Sequence, residues 1–170
     1  MPKRPSLVEF WSFLVGEQAL SSPVLKKIGD KLEASSFRIE RLKIDGSDRL
    51  ELTLSSDEQV DGSLVSELQN ALKVVLRIQD VQIYLRFSEA ALAEDQTACM
   101  LLPWLADEFR RSRNGLTAAM LSSLACESQG EELTIHCPAG VRPQFSDEFV
   151  EETASFYRER AGIRAGAERT

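Results

Sequence analysis

Apolar positions along the first third of the chain follow two helical stripes and then a strict alternation. Leu7, Phe10, Trp11 and Leu14 recur at i, i+3, i+4, i+7, one face of a helix that Gly16 ends. In "SSPVLKKIGDKLEAS", Ser22 is placed as N-cap and Pro23 as first helical residue. Val24, Leu25, Ile28 and Leu32 form its apolar face, and Lys26, Lys27 and Lys31 its wet face. The stretch "SFRIERLKIDGSDRLELTLSS" predicts a hairpin with "DGSD" as its turn. Leu42, Ile44, Leu50, Leu52 and Leu54 are expected on one buried face, as the floor for a following helix.

That helix is "DGSLVSELQNALKVVLRI", with Leu64, Val65, Leu68, Leu72, Val75 and Leu76 inward. "DVQIYLRF" alternates again, Val81, Ile83, Leu85 and Phe87 against Gln82, Tyr84 and Arg86. Residues 1–88 therefore read α-α-β-β-α-β, enough for a self-contained α+β domain. Residues 89–97 read as a linker or a fraying helix start. Beyond them, Leu101, Trp104, Leu105 and Phe109 share a face of a helix with Pro103 near its start, and Leu116, Met120 and Leu124 mark a shorter helix. "GEELTIHCPAG" is one strand with Leu133, Ile135 and Cys137 inward. A last helix carries Phe145, Phe149, Thr153 and Phe156. Residues 98–170 thus read α-α-β-α. Their lone strand lacks a neighbour, which suggests a truncated unit or a strand that joins the first sheet.

Composition narrows the function classes. The chain has 170 residues, 43% of them hydrophobic, which excludes wholesale disorder. No apolar run is long enough to cross a bilayer. The start shows no signal-peptide pattern, so the expectation is a cytoplasmic protein without membrane partners. Cys99, Cys126 and Cys137 are expected as reduced, mostly buried thiols. The net charge of -7 is uneven. Residues 1–88 carry 12 basic and 13 acidic side chains; residues 89–170 carry 8 arginines, no lysine and 14 acids. Strong nonspecific nucleic-acid binding needs an excess of cations, so any such contact belongs to a local patch, favoured in the first half.

Searching for chemistry returns little. No Ser/His/Asp spacing, Walker loop or dinucleotide fingerprint is present. His136 beside Cys137, with Cys126 upstream, is the sole grouping with metal or base potential. It has no C-x-x-C or H-x-x-x-H partner spacing, and an exposed strand histidine is the simpler reading. The acidic pairs at Asp107–Glu108, Glu131–Glu132, Asp147–Glu148 and Glu151–Glu152 read as solvated charge. No catalytic residue, metal or cofactor is expected. Two basic groups remain as partner or nucleic-acid candidates: Arg38, Arg41, Lys43 and Arg49 on the hairpin, joined by Arg86 on the third strand beside Tyr84, and Arg110, Arg111 and Arg113 at a helix C-terminus.

The succession "EFWSFL", "IERLKIDGSDRLELTLSS", "LVSELQNALKVVLRI", "VQIYLRF", the Trp104 helix, a glycine before "EELTIHC" and "FYRERAGI" resembles the N-terminal non-catalytic region of the PolC-type alpha subunit of bacterial DNA polymerase III. The resemblance covers nearly the whole chain. It implies a first domain similar to the polymerase-binding domain of the clamp-loader tau subunit and a second, KH-like domain. It also implies partners among replisome proteins (the clamp loader or other polymerase-associated subunits), with single-stranded DNA as a further candidate. The parent protein would be a DNA polymerase with 3′-5′ exonuclease, but none of its catalytic segments is here. The KH glycine clamp is absent, and "RAGAERT" shows no pattern for the family's final strand. A replisome interaction module, a single-strand binder using Arg38, Arg41, Lys43 and Arg86, and a small enzyme using His136 and Cys137 are the three expectations, in that order.

Overall fold

The computed structural model describes residues 6–16, 21–46, 48–112, 115–121, 124–129, 132–137, 140, 147–164 and 166–169, with backbone alone for 112, 115–117 and 166–169. Arg113, Phe145 and Gly130, singled out above, lie outside the described residues, as does the side chain of Leu116.

Helix α1 (Leu7–Val15) starts on Ser6, whose hydroxyl accepts from the Glu9 amide, and α2 (Pro23–Glu33) starts on Ser22 in the same way. Strands β1 (Arg38–Asp45) and β2 (Arg49–Ser56) pair antiparallel around a turn in which Gly46 takes φ +70°. Helix α3 (Gly62–Leu76), capped by Asp61, then returns the chain so that β3 (Asp80–Phe87) lies parallel to β2. The sheet order is β1-β2-β3. Among the described residues the first half has the predicted α-α-β-β-α-β order, and the chain is α+β.

The stretch read as a linker or a fraying helix start holds two short helices. Ser88 caps α4 (Glu89–Ala93), and α5 (Thr97–Met100) follows. Helices α6 (Leu102–Ser112) and α7 (Gly115–Leu121) come next, then β4 (Ala125–Gln129), β5 (Glu132–His136), α8 (Asp147–Arg160) and β6 (Gly166–Arg169). The expectation of a lone strand is corrected. β4 pairs antiparallel with β5, and β6 pairs parallel with it, in the order β4-β5-β6. From α6 onward the second half therefore repeats the first: two helices, an antiparallel pair, a crossover helix and a parallel third strand. β4 and β6 escape sequence reading because "ACESQ" and "GAER" lack apolar alternation. Backbone pairing to β5 holds them.

One continuous set of buried side chains runs from Leu7 to Ile163 across both halves. Trp11 and Trp104, one in each half, are both enclosed. Leu52, Leu54, Leu72, Ile83 and Leu85 are wholly buried between the first sheet and α3, each contributing roughly 1.5–3 kcal/mol. The floor predicted for α3 is narrower than expected. Leu50, Leu52 and Leu54 are buried, but Leu42 is 44% exposed and Ile44 70%. α3 packs over β3, and the distal part of β1, at the sheet edge, lies uncovered. Alternation marks the face a side chain takes; it does not say whether anything covers that face. Val24, expected on the apolar face of α2, is likewise exposed.

The expectation of reduced thiols is also corrected: Cys99 and Cys126 form a disulfide, while Cys137 is buried and stands outside it. The pair is 27 residues apart in sequence. It is brought together where α5 meets β4, a contact also held by the Cys99 amide donating to Ser128 Oγ at 3.1 Å.

The two halves meet most tightly where α3 begins. A methyl group at Gly62 would lie 2.9 Å from the Leu101 carbonyl oxygen and 2.9 Å from the Trp104 nitrogen, both backbone atoms that cannot step aside. Gly62→Ala is predicted to lower the free energy of unfolding by roughly 1–3 kcal/mol. Urea denaturation checks this, as a lower midpoint with an unchanged slope.

Candidate interaction face

The outward face of the first sheet is built by register. Arg41, Thr53 and Tyr84 lie side by side on β1, β2 and β3. Lys43, Glu51 and Gln82 form the next rung, and Asp45, Arg49 and Asp80 the one after. Arg38, Ser55 and Arg86 complete the face at the other end. Arg41, Lys43, Glu51, Thr53, Tyr84 and Arg86 enclose a shallow depression of about 170 Å³. On the far side of Tyr84, α8 walls a longer groove of about 470 Å³ whose lining includes Glu151, Glu152, Glu159 and Arg160. Tyr84 thus divides a basic hollow from an acidic one.

The predicted cations fall into two groups. Arg38 is bound to Asp57 at 2.6 Å, and Arg49 to Glu51 at 3.1 Å, with Asp80 at 3.6 Å and Gln82 Oε1 at 3.3 Å. Both hold the sheet face together. Arg41 and Lys43 are exposed and enter no ion pair among the described residues. Arg86 donates to the Leu85 carbonyl at 2.7 Å and lies against Gly162. The second cluster is not gathered onto this face. Arg110 and Arg111 reach Asp107 at 3.5 and 3.0 Å, and Arg111 also hydrogen-bonds Asn70. They tie α6 to α3, where Ser66 donates to Asp107 at 2.6 Å.

The side chain that organises the site was not among those expected. Arg160, the last residue of α8, has a side chain only 12% exposed. Its Nε donates to the Ile83 carbonyl at 2.8 Å, and its Nη2 to Gln69 Oε1 at 3.1 Å. Glu108 lies 3.7 Å away. The guanidinium sits 5.2 Å from the Trp104 ring centre, 5.3 Å from Tyr84 and 5.7 Å from Phe156, within cation–π range of all three. Gln69 completes the ring: its Nε2 donates to Glu108 at 2.7 Å and its Oε1 accepts from the Ile83 amide at 3.4 Å. β3 is an edge strand, and Arg160 with Gln69 satisfies both Ile83 backbone groups on its open side. Burial pulls the Arg160 guanidinium below its ordinary range, Glu108 opposes that pull, and an arginine stays charged regardless.

Tyr157, one turn earlier, is fully buried and donates its hydroxyl to the Ala98 carbonyl at 2.7 Å. Burial pushes its ionisation well above the ordinary tyrosine value. Gly162, at φ +65°, then ends the helix, with the Ile163 amide donating to the Tyr157 carbonyl at 2.9 Å. A signal for this stripe existed: Phe149, Thr153, Tyr157 and Arg160 continue one face at helical spacing.

The residues weighed for enzyme chemistry do not converge. Cys126 is held in the disulfide, Cys137 is buried, and His136 is half-exposed with Glu127 at 3.6 Å. Among the described residues no cluster of three or more His, Cys, Asp or Glu side chains is placed to hold a metal ion, and no helix is long and apolar enough to cross a membrane.

Arg160→Ala is predicted to cost roughly 3 kcal/mol, because it strips two partly buried hydrogen bonds and leaves Glu108 without its cation. Arg160→Lys recovers only part of this, since an ammonium cannot span Ile83 and Gln69 in one plane. Chemical denaturation reads both. Tyr157 gives a pH test. Its folded ionisation lies above the unfolded value of about 10. Its contribution is therefore fully present below that value and is lost as pH rises beyond it. Alkaline unfolding above about pH 10 should be less steep in Tyr157→Phe, measured by circular dichroism.

No protein-family model, curated protein or solved structure matches the chain.

Proposed function

We propose that the chain is a non-catalytic protein-interaction module that docks an acidic segment of a partner on the outward face of its first sheet. The observation that carries this reading is the pairing of Arg41 and Lys43, exposed and without ion-pair partners among the described residues, with Arg86 around Tyr84. Arg38 and Arg49 on the same face already hold carboxylates, so the unsatisfied charge is concentrated in one hollow. Such a site takes carboxylates at strand spacing, with Tyr84 as an apolar floor between them.

The setting we propose is the bacterial replisome, in the N-terminal region of a PolC-type polymerase. Its support is the order α-α-β-β-α-β and the long "IERLKIDGSDRLELTLSS" hairpin, on which the resemblance rests. A second reading, single-stranded DNA on the same face, is favoured by the half-buried Tyr84 ring beside Arg41, Lys43 and Arg86, an aromatic among cations.

Clamp-loader and polymerase-associated subunits, presented to the immobilised chain, are expected to include one that binds. Arg41→Glu with Lys43→Glu should weaken that binding at least tenfold, about 1.4 kcal/mol. The absence of any binder, or indifference to the double variant, overturns the protein-docking reading. An oligonucleotide titration separates the DNA reading: three phosphate contacts would give a log–log salt slope of about -2.

A further inference from the structure

We infer that two copies of the chain associate edge to edge through an antiparallel β1–β1 contact about a two-fold axis, joining their first sheets into one mixed six-stranded sheet. Among the described residues β1 pairs with β2 on one side only. Ser6 bridges Arg38 at its beginning, and residues 40–46 beyond that bridge are all exposed. Folded proteins blunt such an edge with a proline, a covering element, a very short strand, a bulge or charged side chains. β1 is eight residues long and contains no proline. Its bulge lies between Ile39 and Arg41, at the start of the exposed run, and its edge carries Arg41, Lys43 and Asp45, which oppose association with any strand that does not match their charges.

The occupant follows from the sequence of that run. "RLKID", Arg41 to Asp45, is complementary to its own reverse. Antiparallel pairing centred on Lys43 sets Arg41 opposite the partner's Asp45, and Leu42 opposite the partner's Ile44. Both pairs occur twice by symmetry, as an isologous interface requires. The two faces separate cleanly. Leu42 and Ile44, left exposed on the helix side of the sheet, cover one another across the axis, while Arg41 and Asp45 neutralise one another on the outward side. The sole like-charged contact is Lys43 with the partner's Lys43, and each of these has Glu51 beside it on β2. The paired run stops short of Ser6. An unrelated extended acidic peptide would satisfy Arg41 and Lys43 but would leave Asp45 facing a carboxylate, so a second copy fits this edge better.

Sedimentation equilibrium of the full chain over a wide concentration range tests this. The expected result is a reversible monomer–dimer equilibrium. Arg41→Asp places two carboxylate pairs across the axis and should raise the dissociation constant at least tenfold. Arg41→Asp combined with Asp45→Arg restores the pairing with its polarity reversed and should recover the dimer. Arg41, Lys43 and Asp45 are all exposed, and circular dichroism verifies that the fold is kept. In parallel, Lys43→Cys should yield a covalent dimer on mild oxidation, because it meets its own copy on the axis. A monomer at every concentration overturns the inference, as does a dimer indifferent to Arg41→Asp or one that the double variant fails to restore. The readout is self-association alone, so it stands apart from whether an acidic partner binds the sheet face.

Discussion

The buried guanidinium of Arg160 is the constraint on which the arrangement of the two halves depends. It leaves the end of α8, crosses to the first sheet and closes the open side of β3 by bonding Ile83 directly and through Gln69. A charge in such a place would cost several kcal/mol if left unpaired. Glu108 from α6, the Gln69 amide from α3 and the faces of Trp104, Tyr84 and Phe156 offset that cost together. No one of them would suffice. The network therefore needs α3, α6, α8 and β3 in place at once, and this makes the contact between the halves specific as well as stable.

The two edges of the first sheet are treated differently. On β3 the edge is filled by a side chain borrowed from the other half. On β1 it is left open, beside a hollow of unpaired cations. One side of the first sheet is thus spent on holding the molecule together, and the other remains available for contacts outside it. Tyr84 lies between these roles: its ring packs near Arg160 on one side and floors the basic hollow on the other. An occupant of the hollow would touch a side chain already coupled to the interface between the halves.

Much of this was legible in the sequence where a local period decides the outcome. The stripes of α1, α3 and α6, the alternation of β2 and β3 and the serine cap of α2 each follow from residues within a turn or two. Leu42 and Ile44 were misplaced because their burial depends on how far α3 extends across the sheet, not on their own spacing. β4 and β6 carry no apolar alternation and exist through backbone pairing to β5. The Cys99–Cys126 disulfide joins residues 27 apart, and nothing in an odd count of three cysteines identifies the pair. Arg160 was the hardest to see. A cation in the last turn of a helix is ordinarily placed there by the helix dipole and by water, and its partners lie 77 and 91 residues upstream.

The claim that Arg160 joins the halves into one cooperative unit is tested most directly through the two tryptophans. Trp11 reports on the first half and Trp104 on the second, and both are buried. In single-tryptophan proteins made by Trp104→Phe or Trp11→Phe, urea unfolding is followed by fluorescence and by circular dichroism. The account predicts coincident transitions for both probes in the otherwise native chain, and transitions that separate once Arg160→Met is added. Separate transitions with Arg160 intact, or coincident ones after its removal, would contradict it.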